Sequence, residues 1–448
     1  MNRSHEFFDA IEAVWNTPVP DAVMARAKKS LLDYMAVTCA GAKFQEKKLE
    51  NYFAFAQPES GRFRAIGTKQ DVTLKEAVFL NGLNGHALDF DDGTNAGIIH
   101  LGSPIFSLLI PLCEKYDIGI VDMLKAAVLG YEISYTLAVS IQPTHKARGF
   151  HATGTCGTIG ATVAASYMLG FSREECFHAF STACLSASGM LKALDSGSEL
   201  KPYNVAKTAL LSLTALQLAK SGFQGPADPL DGRGFLQMMY GDDAVALKPM
   251  MADGTYAIMR SYTKPYASCR YTHPAVEAAI RVRDRVHPAD VQAISVQTYD
   301  LAVAGHEHTD IPGSYSAKMS TPYAVAVALL YGKAGLQEFS EDTVRNRDVL
   351  SLTNKVSVTA DDALSAVFPT VQAAVVTFTT AGGTYTERVD FPKGEPENPL
   401  TDREFRERYD ALMEYAGITN TASDAVFRCV YDPSATAKDL VANLKEAE

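Results

Sequence analysis

Three carboxylates and two histidines stand within sixteen residues of this chain, between two stretches of almost purely apolar sequence. The segment reads Gly85-His86-Ala87-Leu88-Asp89-Phe90-Asp91-Asp92-Gly93-Thr94 and continues through Ile98-Ile99-His100-Leu101-Gly102-Ser103-Pro104. Residues 77–83 before it and 104–112 after it are apolar and read as buried. Charges held between buried segments are costly unless they are paired or used. Gly85, Gly93, Gly97 and Gly102 interrupt any single helix, so the spacing predicts a shaped loop. For Asp91 and Asp92, helix capping competes on equal terms with function, since Asp favours caps. Asp89 and His100 are better explained by chemistry.

The rest of the chain must supply the frame for this loop. At 448 residues it is long enough for two or three domains and a large core. With 47% apolar and 21% charged residues it has the balance of a soluble globular enzyme. A net charge of -11 argues against a nucleic-acid partner. It leaves room for a local basic pocket and an anionic small substrate. The seven cysteines are scattered without a CxxC pair, which points to reduced thiols in a cytoplasmic protein, not to disulfides or zinc. Residues 1–8 carry His5 and Glu6 and no signal-peptide core, and no apolar run is long enough to cross a bilayer.

Apolar periodicity predicts helices over about 21–39, 75–83, 104–115, 121–141, 157–169, 173–186 and 201–221. Residues 60–71 read as extended, and 194–200 as a flexible connection. The helix at 121–141 is nearly uncharged on its buried face, as in the centre of a bundle. Arg148 to Thr155 is a second polar loop, and Ser172 with Glu175 forms a capping-box pattern. Lys201 opens its helix, where the macrodipole disfavours a cation. A bound anion or a nearby carboxylate would compensate.

The pattern changes near Tyr262. Helices at 275–285 and 320–331 alternate with strands at 291–299, 355–359 and 373–380, and Gly382-Gly383 turns into a strand at 385–391. The resulting fold class is mostly α with a second, α+β domain. A large all-helical bundle domain over 1–264 and 398–448 is interrupted by a smaller inserted α+β domain over 265–397. The helix at 401–413 returns to the first domain.

There is no dinucleotide fingerprint after a strand, no P-loop and no nucleophile elbow. Asp89, Asp91, Asp92 and His100 offer hard ligands, but too few for a closed cation site, so no metal is expected. His306 and His308 read as surface residues of a loop. The remaining polar groups, Asp89, His100, His151, Lys201, Lys264, Arg270 and Tyr323, suit chemistry on a carboxylate-rich substrate if they converge. Removing a proton beside a carboxylate needs a base, and cations must absorb the enolate charge. Histidine serves as the base near neutral pH.

The ordered motifs Asn84-Gly85-His86-Ala87-Leu88-Asp89-Phe90-Asp91-Asp92 with His100, Gly149-Phe150-His151, Lys201-Pro202, Lys264-Pro265-Tyr266 and Cys269-Arg270-Tyr271-Thr272-His273-Pro274 resemble the MmgE/PrpD family over about residues 20–400. Activities in that family include 2-methylcitrate dehydratase, cis-aconitate decarboxylase and iminodisuccinate epimerase. The resemblance implies action on small polycarboxylates without a cofactor, a helical domain plus an inserted α+β domain with the active site between them, and a homodimer. It implies a site of Asp89, Thr94, His100, His151, Lys201, Lys264 and Tyr323. Two departures stand out. Gly93 occupies the place where many members have Thr directly after the acidic pair, and Cys269 occupies the place of a histidine in the decarboxylase branch. Cys269 is either an acid–base group or a packed thiol.

The leading expectation is therefore a cofactor-independent lyase of the dehydratase type. It would remove an α-proton from a hydroxy-polycarboxylate and expel the β-hydroxyl. His100 and His151 would share the acid and base roles, Asp89 would orient a histidine, and Thr94, Lys201, Lys264 and Arg270 would bind substrate. The alternatives are a two-base epimerase and a non-catalytic polycarboxylate-binding protein.

Overall fold

The computed structural model describes residues 2–242 and 245–445. The chain divides into two units. One comprises Met1–Asp195, Leu200–Ser261 and Arg403–Glu448, the other Ser196–Glu199 and Tyr262–Asp402. The main segment of the second unit begins at Tyr262, where the sequence pattern changes, slightly before the expected boundary at 265. A backbone bond from the Thr263 N–H to the Gly394 carbonyl ties its entry segment to its exit segment at 2.9 Å.

The first unit is built from helices that approach closely because their contact faces carry small residues. Ile120–Ile141 packs on Ala152–Met168, which in turn packs on Gly102–Tyr116, Arg173–Ser186 and Lys201–Lys220. At the first crossing, a Cβ on Gly160 would lie 1.9 Å from Ser134 Oγ and 2.5 Å from the Gly130 carbonyl. No side chain fits there without moving a backbone. Gly160→Ala is expected to lower stability by about 1–3 kcal/mol through overpacking. A thermal melt with an unchanged midpoint would refute this reading of the crossing.

The predicted helices are present, several of them longer than the periodicity suggests. The first runs over Asp21–Phe44, and the helix before the acidic loop over Leu74–His86. The capping box at Ser172 and Glu175 is formed in both directions. Helix Ala152–Met168 begins inside the expected second polar loop, so Thr153 and Thr155 belong to its first turn. The unit is not purely helical. Ser60–Arg64 and Asp71–Val72 pair antiparallel, with an irregular register, beside Leu74–His86. Helices Arg3–Asn16, Glu46–Ala56, Asn420–Tyr431 and Ala437–Lys445 went unrecognised at the sequence level. Among the described residues no helix is long and apolar enough to cross a membrane.

The second unit holds a four-stranded sheet. Val291–Thr298 pairs parallel with Val356–Ala360 on one side and antiparallel with Ala374–Thr380 on the other. Gly383–Val389 then completes an antiparallel hairpin. Strand Val291–Thr298 alternates buried and exposed positions over its second half, as in a sheet with one covered face. Helices His273–Val282 and Thr321–Tyr331 pack on the sheet and on each other. The parallel pair was not foreseen, because strand direction depends on the crossover, which periodicity does not encode.

Candidate active site

The acidic loop of the first unit is held from several sides. Helix Leu74–His86 ends at His86, and the chain turns sharply at Asp89, whose φ is +50°. A left-handed aspartate is uncommon and marks a position fixed by its surroundings. Arg408, on helix Asp402–Tyr415, pairs with Asp33 and donates to the Phe90 carbonyl at 2.9 Å. The returning C-terminal segment thus pins the loop. Helix Gly102–Tyr116 starts directly after the loop, and its Gly102 N–H donates to Asp92 Oδ1 at 2.9 Å. Tyr131 donates to Asp92 Oδ2 at 2.6 Å. Asp92 is therefore the structural member of the acidic set, and burial pushes its carboxyl pKa up.

Asp91 lies among histidines. His86 Nδ1 is 2.9 Å from both its oxygens, Ser103 Oγ donates to it at 2.7 Å, and His100 Nδ1 is 3.3 Å away. Burial pushes this carboxyl up, but His100 and His86 outweigh it and hold Asp91 well below the usual carboxylate range. Asp91 is thus an ionised acceptor, and His86 donates to it through Nδ1–H. Burial lowers His86 from 6.5 to about 4 against the pull of Asp91, so its imidazole is neutral at physiological pH. Its Nε2 is buried and has no hydrogen-bond partner among the described residues, as is also true of Thr94 Oγ1. Buried polar atoms of this kind are costly until a ligand or solvent meets them.

The state of His86 has a consequence for stability. An imidazole that stays neutral when folded loses ground as soon as the unfolded chain protonates. Its contribution is intact above pH 6.5 and is lost as pH falls from 6.5 towards about 4. His86→Asn keeps a donor in the place of Nδ1 and does not titrate. The stability of the wild type relative to this variant is expected to fall by roughly 1–2 kcal/mol between pH 7 and pH 5. Denaturant melts at both pH values measure the difference, and a constant gap would mean that His86 is charged in the fold.

Hydrogen-bond partners that can only accept fix the protons on the other two rings. His100 Nδ1 lies 2.9 Å from the Asp92 backbone carbonyl, an acceptor only, so Nδ1 carries hydrogen. Nε2 faces Asp89 Oδ1 at 3.5 Å. The His100 backbone N–H donates to Thr153 Oγ1 at 3.0 Å, which ties the loop to the first turn of helix Ala152–Met168. His151 is arranged the other way. Asn204 Nδ2 donates to the Met190 carbonyl and to His151 Nδ1, each at 3.2 Å. The Met190 carbonyl settles the orientation of the Asn204 amide. His151 Nδ1 must then accept, and the ring hydrogen sits on Nε2. Burial, followed by the charge of Lys201, holds His151 well below the usual imidazole range, so it is neutral. The two rings flank His86, with centroids 4.6 Å and 5.9 Å from it.

Lys201 completes the group. Its ammonium is 2.7 Å from Asp89 Oδ1, which supplies the carboxylate that a cation at a helix N-terminus needs. Close helix packing brings the two together. A Cβ on Gly82 would lie 2.8 Å from Ala206 Cα, so helix Leu74–His86 and helix Lys201–Lys220 nearly touch. His86, Asp89, Asp91 and His100 place ligand-type atoms within 4.8 Å of one another. However, both Nδ1 atoms already donate, and Lys201 occupies the Asp89 oxygen as the resident cation. Turnover is therefore expected to survive exhaustive chelation. Inactivation by EDTA with recovery on adding Mg²⁺ or Fe²⁺ would turn this cluster into a metal site.

The structure thus gathers Asp89, His100, His151 and Lys201 in the first unit and adds His86, Asp91 and Asn204, which the sequence reading left out of the site. Lys264, Cys269, Arg270 and Tyr323 lie in the second unit. Lys264 is fully buried, on backbone pinned by the Thr263–Gly394 bond. Arg270 is engaged within its own unit. Its guanidinium is buried against Glu395, with Nε 3.1 Å from Oε1, while Nη1 contacts His273 Nδ1 at 2.7 Å and the group stacks over Tyr262. These partners tie Arg270 into the unit. The Tyr323 hydroxyl is likewise buried and donates to the Glu338 carbonyl at 2.8 Å, with its ring on Phe339. His306, read from sequence as a surface residue, is instead buried and faces Cys269.

Comparison with known proteins agrees with this layout. The model described as the MmgE/PrpD N-terminal domain matches residues 6–248, and that of the MmgE/PrpD C-terminal domain matches residues 266–429. Among curated relatives, cis-aconitate decarboxylase of Mus musculus is 25% identical over 411 residues, covering 87% of this chain and 82% of the relative. The Homo sapiens protein of the same name is 23% identical over 423 residues, covering 91% and 87%.

Proposed function

Because the chain belongs to the MmgE/PrpD family, we propose that it is a cofactor-independent lyase of the dehydratase type, acting on a small hydroxy-polycarboxylate. The observation that carries this reading is that Nδ1 of His100 faces an acceptor, the Asp92 carbonyl, whereas Nδ1 of His151 faces a donor, the Asn204 amide. In this reading His100 serves as the base through Nε2, and His151 offers an Nε2–H.

In the proposed reaction, His100 Nε2 takes the proton from the carbon beside a substrate carboxylate. The C–H electron pair moves into that carboxylate as an enolate-like dianion. His151 Nε2–H and the Lys201 ammonium donate to the developing negative charge, which is the largest barrier contribution in such chemistry. The pair then forms the C=C bond as the β-hydroxyl departs. Lys201 gives that hydroxyl a proton, so it leaves as water. Asp89 restrains Lys201 and faces the imidazolium formed at His100. Asp91 and the Asp92 carbonyl hold the Nδ1–H side of the same ring, as a carboxylate does for the base in other acid–base sites. Thr94, with its unmatched hydroxyl, is assigned to substrate binding, and Lys264 is carried over from the family motif for a carboxylate. A homodimer in the cytoplasm is expected from the family and from the free thiols. Light scattering tests the former.

Incubation with candidate polycarboxylates in D₂O, followed by NMR, tests the reaction type. Deuterium at the α-carbon together with an alkene supports dehydration. Deuterium with inversion and no alkene would make the protein an epimerase. Decarboxylation is the reading favoured by the names of the relatives. Cys269 stands where that branch keeps histidine, so little CO₂ release from cis-aconitate is expected. Rapid release would overturn this use of Cys269. No exchange from any substrate that binds would favour a binding protein.

A further inference from the structure

Three helices of the first unit that carry site residues at their starts pack on one another and finish at a common groove. Gly102–Tyr116 begins two residues after His100, Ala152–Met168 directly after His151, and Lys201–Lys220 at Lys201 itself. Just past each end stands a left-handed residue: Asp117 with φ +61°, Gly170 with φ +65° and Gly222 with φ +86°. The next N–H then folds back on its own helix. Ile118 donates to the Cys113 carbonyl, Phe171 to the Ser166 carbonyl and Phe223 to the Leu218 carbonyl, each at 3.1 Å. Between these ends lies a groove of about 630 Å³. Small-molecule sites usually measure about 300–1,000 Å³. Helices of such length span roughly 22–30 Å, so the groove is remote from His100, His151 and Lys201.

The wall of the groove is apolar. Leu112, Met168, Leu213 and Leu216 come from the helices, and Ile118 and Phe171 are the residues that the caps fold back. Its charged lining is cationic: Lys115 and Lys220, both exposed, and no carboxylate, in a chain whose net charge is -11. Each lysine stands in the last turn of its helix, where the dipole favours a cation. The cap N–H groups already satisfy the Cys113 and Leu218 carbonyls, so the ammonium groups are not consumed there. Lys115 lies over the Tyr116 ring, 4.9 Å from its centroid, and has no carboxylate partner among the described residues. Lys220 lies over Phe171, also at 4.9 Å, and pairs with Glu175 at 2.8 Å. Arg62 adds a cation beside Lys115, with Nη2 3.5 Å from its carbonyl, and the nearby Asp117 is taken up by Lys438 at 2.6 Å. A cationic head group would be repelled at this edge, and a neutral one would leave Lys115 unmatched.

We propose that this groove binds a free aliphatic monocarboxylate of medium chain length, a ligand distinct from the polycarboxylate substrate. The chain covers the apolar wall, and the carboxylate meets the Lys115 ammonium. Such a ligand removes apolar surface from water and supplies the one charge that the edge of the groove lacks. Binding there involves none of the acid–base residues and is read without turnover, so it stands or falls separately from the lyase reading.

Decanoate serves as the probe, titrated by calorimetry into the full-length protein. Decyltrimethylammonium offers a chain of the same length with a cationic head, and acetate offers the head without the chain. Decanoate is expected to bind once per chain and roughly tenfold more tightly than either control, since it alone uses both the wall and the charge. A diazirine-bearing analogue of decanoate, photolysed and mapped by mass spectrometry, should label residues 112–118, 168–171 and 213–221. Lys115→Glu combined with Lys220→Glu reverses the charge at two exposed positions outside the reacting group. It should weaken decanoate roughly tenfold and bind decyltrimethylammonium more tightly than the wild type does. Gln217→Glu, at an exposed lining position, is the milder variant if the double one fails to fold, and it should weaken decanoate about two- to fivefold. Equal affinity for the two amphiphiles overturns the assignment, as does labelling elsewhere, an unchanged affinity in the charge variants, or no binding of decanoate at all. Light scattering covers the remaining occupant. Decanoate that binds only as a dimer dissociates would make a second copy of the chain the natural occupant, and would overturn the assignment too.

Discussion

His100→Asn is expected to abolish measurable turnover and α-deuterium exchange, a loss of about 10²–10⁴-fold, which is the usual worth of a positioned general base. The choice of asparagine matters. Its amide nitrogen takes the place of Nδ1 and can still donate to the Asp92 carbonyl, so the loop keeps its internal bond and only Nε2 is removed. The neighbouring histidine should behave differently. His151→Gln places an amide N–H near the former Nε2–H and retains a donor for the developing charge. Its loss should be of the order of 10-fold, smaller than that for a group removed outright. The asymmetry between the variants is the measurement. Equal losses would mean that the hydrogen-bond partners do not set the roles of the rings. Undiminished exchange in His100→Asn would remove His100 from the chemistry.

That asymmetry lies beyond the sequence, because a tautomer is decided by partners distant in the chain. His100 meets Asp92 within its own loop, but His151 is set by Asn204, which lies on another helix. Local signals served well where the physics is local. Apolar spacing placed the helices around the loop, the Ser172–Glu175 pattern gave a formed capping box, and Gly382-Gly383 opened a real hairpin. A helix-start lysine correctly demanded a negative partner, and Asp89 is that partner.

Where the sequence misled, the reason was usually a pairing between remote segments. The partner of Arg270, Glu395 near the exit of the second unit, could not be read from the sequence. His306 followed a predicted strand in polar surroundings and read as exposed, whereas Cys269 and the Met319 carbonyl bury it. His86 stood in view in the acidic segment, yet only its contact with Asp91 and its bare Nε2 mark it as part of the site. A histidine five positions before an aspartate was the one available hint. The small first-turn residues of helix Ala152–Met168 looked like loop, because Gly and Thr are weak helix formers unless packing selects them.

Lys201 carries the second large effect, and here the structure changes what a substitution should do. A lysine that only bound substrate would cost binding and little stability when removed. In the fold its ammonium neutralises Asp89, and the side chains are only 15% and 7% exposed. Removing one member of such a pair strands the other, which typically costs about 3–5 kcal/mol at fully buried sites. Lys201→Met is therefore expected to lower the melting temperature clearly, as well as to reduce kcat/KM at least tenfold through the lost charge-assisted bond. Asp89→Asn, made in the Lys201→Met background, removes the stranded charge. Stability should then recover towards that of the wild type, giving a coupling of about 1–3 kcal/mol in the double-mutant cycle. Activity should not recover, because neither the cation nor its restraint is restored. The two readouts must diverge if Lys201 serves both the fold and the reaction. A double variant that regained turnover along with its stability would show that the lysine serves only to neutralise Asp89.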